Sequence, residues 1–161
     1  MKGDCFFRIQ DKKFDVRGEA EDTTYAGWIQ VEEWNWGMNN RAVSAGFQEG
    51  KLRGDVREFV FAYRVDASSA AMLQICNQNA VLEKAELAMR RAGGEAQLYV
   101  EIKFTKVQVK SVDLVHDEHN LIPLQRVAIS FESAEFVYTP QSQAGAKRSG
   151  GHSFEWRAPA R

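Results

Sequence analysis

The sequence has little cysteine, no long apolar run and no excess of either charge. Its two cysteines, Cys5 and Cys76, lie far apart and form no CxxC pair, so we expect two reduced, partly buried thiols. No apolar run approaches the roughly 20 residues that a membrane helix needs. The residues after Met1 lack the apolar core of a signal peptide. We therefore expect folding in the cytoplasm, no membrane insertion, and export only by a route that reads no such signal.

Charge and length exclude further classes of protein. The 21 lysines and arginines against 22 aspartates and glutamates leave a formal net charge of −1, so the chain has no general basic field that would grip nucleic acid. Its 161 residues, 44% of them hydrophobic and 27% charged, are typical of one globular domain. We therefore predict a single domain over 1–161, with no nucleic-acid partner and no need of disulfides or metal to fold.

Three segments rich in glycine and polar residues predict loops. An extended loop at about 37–54 is longer than most connections in compact domains, which favours a functional role. A second loop covers 115–123 and contains His116-Asp117-Glu118-His119. Because these four residues share one polar turn and no helix places both histidines on one face, a solvated turn is favoured over a zinc site. The third, at about 140–151, is predicted to be a basic flexible loop.

Between the loops, alternating apolar residues predict strands. In Gly27–Trp36 the apolar residues change parity at Glu32–Glu33, where one extra residue in a β-bulge would return them to a single face. In Leu98–Leu114 the parity changes twice, at Thr105–Lys106 and at Lys110–Ser111. Repeated shifts with sustained burial indicate a strongly bent sheet or barrel. The expected core of this barrel includes Ile29, Val31, Trp34, Trp36, Ile102, Phe104 and Phe131.

One helix and one ambiguous segment lie in the middle of the chain. Residues 68–77 have capping side chains near their start and apolar residues at helical spacing, so we predict a helix there. Residues 80–91 consist of strong helix formers, and Gly93-Gly94 would suit a helix C-cap. The same residues also alternate, and the two glycines would equally turn a hairpin into Leu98. From these residues alone the segment can be either a helix or a strand, and their propensities favour the helix.

Three blocks of sequence resemble one known family. They are Gly27-Trp28-Ile29 leading to Trp34-Asn35-Trp36-Gly37-Met38, then Arg90-Arg91-Ala92-Gly93-Gly94-Glu95, then Phe136-Val137-Tyr138-Thr139-Pro140-Gln141. In this order and spacing they resemble the haemolysin-coregulated protein (Hcp) family. These are the tube proteins of bacterial type VI secretion, similar in fold to bacteriophage tail-tube proteins. The resemblance runs from about Cys5 to Trp156.

The resemblance implies a fold and an assembly. It implies that Leu82–Arg91 is a strand paired through Gly93-Gly94 to Leu98–Phe104. The implied fold is mainly β, a small β-barrel of two packed, strongly bent sheets with one α-helix at about 68–77 on its side. It further implies a homohexameric ring, rings stacked head-to-tail into a tube, and a contractile sheath, baseplate and spike protein as partners. The resemblance also implies that the tube is secreted and that it carries or chaperones effector proteins in its lumen. The family lacks catalytic residues, so no enzymatic activity, cofactor or metal is expected.

Two sets of residues are candidates for contacts within such a tube. Side chains that point away from the barrel core can line the central channel, and these lumen or cargo candidates are Gln30, Asn35, Glu86, Arg90, Glu101 and Lys103. The extended loop is polar and long enough to reach the next ring, and its stacking candidates are Asn39, Asn40, Arg41, Phe47, Gln48 and Lys51. A second hypothesis stays open, a monomeric β-barrel enzyme or carbohydrate-binding module that uses the Trp-rich strand.

Overall fold

The computed structural model describes residues 4–40, 54–91, 97–119, 121–140 and 151–159. These residues form ten strands and one helix. In chain order the elements are β1 Cys5–Gln10, β2 Ile29–Gln30, β3 Glu33–Asn35, β4 Met38–Asn40, β5 Gly54–Val56, β6 Phe59–Arg64, α1 Ser69–Gln78, β7 Val81–Arg90, β8 Leu98–Val115, β9 Leu124–Tyr138 and β10 His152–Arg157. The prediction of a mainly β fold with one helix is confirmed.

Eight of the strands form one curled sheet whose two edges are joined by a single segment. The strand order is β2-β1-β7-β8-β9-β6-β3, with β10 against β9. The strands at the two ends of this order, β2 and β3, follow each other in the chain. At their junction the Val31 N–H donates to the carbonyl of Cys5, and the Glu32 N–H donates to the carbonyl of Ala62, both at 2.9 Å. The sheet therefore curls back on itself, in agreement with the predicted strong bending.

The parity change in Gly27–Trp36 has a different cause from the predicted bulge. Ile29 and Val31 belong to the β1 edge of the sheet, and Trp34 belongs to the β6 edge. The segment crosses from one edge to the other at Val31–Glu32 instead of inserting an extra residue into one strand. Ile29, Val31, Trp34 and Trp36 still reach the core, because the two edges face it from different sides.

Two irregularities in the long strand β8 bend the sheet. Lys106 has a φ of +50°, a left-handed conformation that residues other than glycine rarely adopt. Further along, the pairing register with β9 shifts between Val109 and Ser111, which places a bulge at Lys110. Both irregularities lie where the apolar residues change parity. The predicted bends at Thr105–Lys106 and Lys110–Ser111 are thus confirmed.

Helix α1 confirms the predicted helix to within one residue at each end. The side chains before it hold the turn that leads into the helix. Asp66 Oδ1 accepts hydrogen bonds from the backbone N–H of Ser68 at 2.7 Å and from its hydroxyl at 2.6 Å. The helix ends at Asn79, which adopts the left-handed conformation that commonly stops a helix.

The ambiguous segment is strand β7, as the resemblance implies. It pairs with β1 on one side and with β8 on the other, so both of its edges have hydrogen-bonded neighbours. Leu82, Ala85 and Leu87 are buried in the core. The helix propensity of its residues differs from strand propensity by only tenths of a kcal/mol each, so these tertiary contacts outweigh it.

The core between the layers of the curled sheet is rich in aromatic side chains. The ring centroids of Phe59 and Phe104 lie 5.0 Å apart, and those of Phe7 and Phe61 lie 4.1 Å apart. Among the expected core residues, four are almost fully buried: Ile29, Val31, Ile102 and Phe104. The other three are half-buried and pack against the core from its margin: Trp34, Trp36 and Phe131.

The segment predicted as an extended loop at 37–54 begins and ends as a β-ribbon. Strands β4 and β5 pair antiparallel and form a two-stranded sheet of their own. Arg57 ties this ribbon to the barrel, because its N–H donates to the carbonyl of Gly37 at 2.8 Å and its Nη1 donates to Asn39 Oδ1 at 3.0 Å. Asn39 and Asn40 are exposed on β4. The other stacking candidates lie outside the described residues: Arg41, Phe47, Gln48 and Lys51. Residues 141–150 of the predicted flexible loop lie outside them as well.

The residues considered as metal ligands are all exposed in the turn after β8. Asp117 Oδ1 accepts a hydrogen bond from the N–H of His119 at 2.8 Å, which closes the turn. Among the described residues, no three histidine, cysteine, aspartate or glutamate side chains are grouped to bind a metal ion. No helix in the same part of the chain is long and apolar enough to cross a membrane. Cys5 and Cys76 are free thiols, and burial raises the pKa of Cys5 to about 12.

Candidate binding surfaces

The six lumen candidates lie on different parts of the curled sheet, and two of them, Gln30 and Arg90, are partly or largely buried. Glu86, Glu101 and Lys103 lie together on β7 and β8. Asn35 lies on β3, which pairs with β6 at the other end of the strand order. The structure therefore divides the set into two polar faces, with Gln30 and Arg90 near the edge of the first.

The first of these, the charged face, consists of Arg8, Glu86, Lys103, Glu135 and Glu155. The pairing register places these five residues side by side across β1, β7, β8, β9 and β10. Their signs alternate from Arg8 to Glu135. A depression of about 720 Å³ lies over the row. The charged face can therefore make contacts of both charge signs with another protein.

Several charges of the charged face are already paired within the chain. Arg8 Nη2 lies 2.9 Å from Glu86 Oε2, and Lys103 Nζ lies 3.4 Å from Oε1 of Glu101, which lies two residues earlier on the same side of β8. Burial raises the pKa of Glu101, and the neighbouring carboxyl group of Glu86 adds to this rise. Because these pairs are partly exposed, each contributes at most about 1 kcal/mol to folding.

The second polar surface, the Asn35 face, consists of Glu33, Asn35, Val60, Ala62 and Arg126 around a depression of about 230 Å³. Asn35 is exposed. Arg126 Nη2 donates to Glu33 Oε1 at 3.3 Å, so a charge of each sign stands beside the depression. The compact side chains of Val60 and Ala62 form its floor and leave room for a bound segment of another protein.

Two tryptophans fix the direction of Asn35. Trp34 Nε1 donates to Met89 Sδ at 3.2 Å, and Trp36 Nε1 donates to the carbonyl of Arg57 at 3.0 Å. Both indoles pack against the core. Because successive side chains of a strand point to opposite faces, Asn35 points outward between them.

Gln30 is half-buried at the β2 edge. Its Nε2 donates to the carbonyl of Cys5 at 3.2 Å, and its strand partner across β1 is Phe6. The side chain thus helps to hold β2 against β1. We therefore leave Gln30 out of both polar faces.

Arg90 makes its contacts within the chain, and only 12% of its side chain is exposed. Its Nη2 lies 2.5 Å from Asp22 Oδ2 and 3.4 Å from Asp4 Oδ1. The guanidinium also lies over the rings of Phe6 and Tyr25, at 5.1 and 5.3 Å from their centroids. These contacts hold the segment between β1 and β2 against the sheet. Sequence reasoning missed both aspartates, because they lie 68 and 86 residues from Arg90 and share no motif with it.

Arg90→Met should lower the melting temperature by about 4 °C at neutral pH, because it removes charge-assisted hydrogen bonds from a largely buried site. The hydrogen bond from Arg90 holds the pKa of Asp22 below its ordinary value of 3.8. The ionised Asp22 therefore stabilises the fold above that value, and this contribution is lost as the pH falls through the folded-state pKa. We expect the wild-type protein to melt at a higher temperature than Arg90→Met from about pH 7 down to about pH 4. This difference in melting temperature should disappear only between about pH 4 and pH 2.

The matched control for Arg90→Met is Arg17→Met. Arg17 pairs with Asp15 in an ion pair whose side chains are 79% and 76% exposed, so its removal should leave the melting temperature almost unchanged. An Arg90→Met gap of the same size at both ends of the pH range would contradict the role assigned to Asp22.

Known proteins are similar to this chain in sequence and in fold. A family described as "Type VI secretion system effector, Hcp" matches residues 6–138. The chain is 30% identical to Protein hcp1 of Pseudomonas aeruginosa over 158 aligned residues. The alignment covers 97% of this chain and 95% of that protein. A type VI secretion system effector from Yersinia pestis has a crystal structure with a TM-score of 0.75 at 26% identity, covering 96% of this chain and all of that one. Hcp1 from Salmonella typhimurium gives a TM-score of 0.76 at 22% identity, over 98% and 95% of the two chains. With strands β2 to β9 and all but the first residue of β1 inside the matched range, this chain belongs to the Hcp family of type VI secretion proteins.

Proposed function

We propose that the protein is the structural subunit of a type VI secretion tube and has no enzymatic activity. Six copies form a ring in the cytoplasm, and rings stack head-to-tail into a tube. The tube is secreted without a cleaved signal peptide and carries effector proteins in its lumen. A contractile sheath, a baseplate and a spike protein are its other partners. Membership of the Hcp family supports the role in type VI secretion.

The main observation in support of a ring is the unpaired edge of β10 in the described part of the sheet. Among the described residues β10 pairs with β9 alone, and five of its six residues are exposed. Phe154 on β10 and Tyr138 on β9 are 41% and 39% exposed. Soluble proteins rarely leave such an edge uncovered, because it offers pairing to other chains. A closed ring of identical copies covers the edge of each copy with its neighbour.

The environment of the tryptophans favours this proposal over a carbohydrate-binding module. A sugar-binding platform presents the face of an aromatic ring to solvent. Here both indoles pack against the core, and both indole N–H groups donate within the chain. The Trp-rich strand therefore stabilises the subunit, and its exposed residues are Glu33 and Asn35.

We place the Asn35 face on the wall of the channel. The two polar faces belong to different parts of the curled sheet, so a single channel takes one of them. The compact floor of the Asn35 face leaves the channel open, and its Glu33–Arg126 pair offers weak contacts of both signs to diverse proteins. The charged face borders the open edge at β10, where the adjacent copy of the ring lies.

Light scattering after size-exclusion chromatography, followed by electron microscopy, tests the ring directly. The expected particle has six times the 18.2 kDa mass of the chain and a wide central hole. A compact monomer at every concentration would overturn the proposed function and would favour the β-barrel enzyme or binding module instead.

A further inference from the structure

An apolar groove lies between α1 and the turn end of the β8–β9 hairpin. Its volume of about 470 Å³ is typical of a binding site, and its lining includes Val65, Asp66 and Pro123. Leu73 of α1 lines one wall and is 41% exposed, and Leu114 of β8 lines the other wall and is 56% exposed. Large apolar side chains that remain accessible on both walls of a groove indicate an interaction site.

The exposed apolar surface extends beyond the groove into the turn of the hairpin. Leu121 is fully exposed, Ile122 is 45% exposed and Val115 is 38% exposed. A small molecule that fills the groove would leave these side chains in contact with water. A segment of another protein can cover the groove and part of the turn together, as the apolar centre of a protein interface does. The extent of the apolar surface therefore favours a protein over a small ligand.

The elements around the groove carry negative charge. Residues 65–78 and 113–124 contain no lysine or arginine, and their four acidic residues are Asp66, Asp113, Asp117 and Glu118. Most of the negative charge of a nearly neutral chain is therefore balanced elsewhere. Glu19 adds to the charge near α1, because its Oε2 accepts a hydrogen bond from the N–H of Ala67 at 3.0 Å. A partner with lysine or arginine next to its apolar side chains complements this surface.

Asp66 is the acidic side chain that lines the groove itself. Its Oδ1 accepts hydrogen bonds from Ser68, which leaves its Oδ2 for the cation of a bound segment. The nearest arginines in the sequence, Arg64 and Arg126, each form an ion pair at 3.3 Å with a glutamate at or just before the start of β3. Neither arginine is therefore available to neutralise the groove.

The proposed subunit contact and channel wall do not account for this groove. It lies at the Leu124 end of β9, whereas β10 pairs with residues 133–138 near the other end of that strand. It also shares no lining residue with the Asn35 face. Its exposed apolar side chains therefore require a different partner.

We propose that this groove binds a short segment of a partner protein in which large apolar side chains lie beside lysine or arginine. The apolar side chains pack between Leu73 and Leu114, and the basic side chains lie against Asp66 and the acidic turn. This binding goes beyond the proposed tube and needs neither a ring nor a channel, because the whole groove lies within one copy of the chain.

Fluorescence anisotropy with a labelled synthetic peptide tests the groove on the full chain. The probe is Lys-Leu-Leu-Lys-Leu-Leu-Lys, and two matched peptides replace either its lysines by glutamate or its leucines by serine. We expect saturable binding of the probe and at least about tenfold weaker binding of each matched peptide, because one loses the charge and the other loses the apolar contact. Equal binding of the probe and either matched peptide would overturn the proposal.

Leu114→Ser and Asp66→Asn should each weaken binding of the probe by at least about fivefold. Asparagine keeps the Oδ1 acceptor that holds the turn before α1. The matched controls are Val81→Ser, at a 59% exposed position outside the groove lining, and Asp15→Asn, in an ion pair whose carboxylate side chain is 76% exposed. Both controls should bind the probe within about twofold of wild type.

Melting temperatures show whether each variant is folded, and Asp66→Asn decides the test if Leu114→Ser unfolds. Groove variants that bind the probe as well as their controls would overturn the proposal.

Two other occupants of the groove give different results. If a second copy of the chain fills it, wild type does not bind the probe, and Leu114→Ser has a lower mass in sedimentation than Val81→Ser. If a membrane covers it, zwitterionic or anionic lipid vesicles sediment with wild type but not with Leu114→Ser, and the probe again does not bind. Either result would overturn a partner protein as the occupant. Ring formation is measured separately, so a failure of the proposed tube leaves the outcome of these binding experiments unchanged.

Discussion

Phe104→Ala should lower the free energy of unfolding by about 3–5 kcal/mol. Phe104 is fully buried, and its ring centroid lies 4.7 Å from that of Phe131, 5.0 Å from that of Phe59 and 6.1 Å from that of Trp36. The substitution leaves a cavity between the two layers that these rings cannot fill. Because a domain of this size is stable by about 5–15 kcal/mol in total, little folded protein should remain for ring assembly. Urea unfolding at a fixed subunit concentration measures the loss.

Phe154→Ala is the matched control, because it removes the same side chain from an exposed position on β10. It should change the free energy of unfolding by less than about 0.5 kcal/mol. It can still weaken rings through the open edge, so the pair separates a failure of the subunit from a failure of the interface. If Phe104→Ala unfolds at the same urea concentration as Phe154→Ala, the aromatic core does not hold the layers together as described.

Asn35→Arg should reduce the amount of effector that co-purifies with rings by at least tenfold. The tryptophans on either side of Asn35 direct its side chain outward, so arginine at this position leaves the core unchanged. In a ring it adds six long positive side chains at one height of the channel. Their mutual repulsion and bulk should displace a cargo that binds by weak polar contacts. The measurement is the ratio of effector to ring subunit after affinity purification, with ring integrity checked by electron microscopy.

Glu135→Arg supplies the control for the cargo experiment. It introduces the same side chain at an exposed position of the charged face, away from the Asn35 face. Because Glu135 lies beside the β10 edge, its rings are also checked by electron microscopy, and we expect wild-type recovery of effector per intact ring. If instead Glu135→Arg loses the effector and Asn35→Arg retains it, the charged face with Glu86, Glu101 and Lys103 lines the channel. Loss of rings with Asn35→Arg would place Asn35 at a subunit interface.

Alternation along the chain predicted the strands and their bends well, because burial acts on every second residue regardless of what covers it. The parity changes in β8 marked both Lys106 and the bulge at Lys110. Alternation could not show that β7 is a strand, because its residues are compatible with both a helix and a strand. Its state is decided by β1 and β8, which lie on either side of it and are remote in sequence from one another. The resemblance to Hcp proteins supplied that information.

The candidate surfaces were only partly accessible from sequence. Alternation predicts which side chains leave the core, and Asn35 and Lys103 do so. It does not predict that the curl of the sheet turns them to different faces, because the curl depends on pairing between distant strands. Arg90 shows the same limit. Its outward parity was correct, but Asp4 and Asp22 cover it from a segment whose path no local pattern reveals.

The short junction at Val31–Glu32 also sets an order of events during synthesis and folding. It bonds to Cys5 and to Ala62, and β1 in turn needs β7, so the N-terminal strands have no complete set of neighbours until Arg90 has been made. The hairpin of β8 and β9 has no such requirement, because its strands are joined by a turn. Contacts between distant parts of a chain form late. Closing the long loop between them lowers the entropy of the chain before the new contacts can stabilise it. A nascent chain therefore carries Phe6, Phe7 and the tryptophan strand uncovered for most of its synthesis. We therefore expect the closure of the sheet by its earliest residues to be a late step of folding.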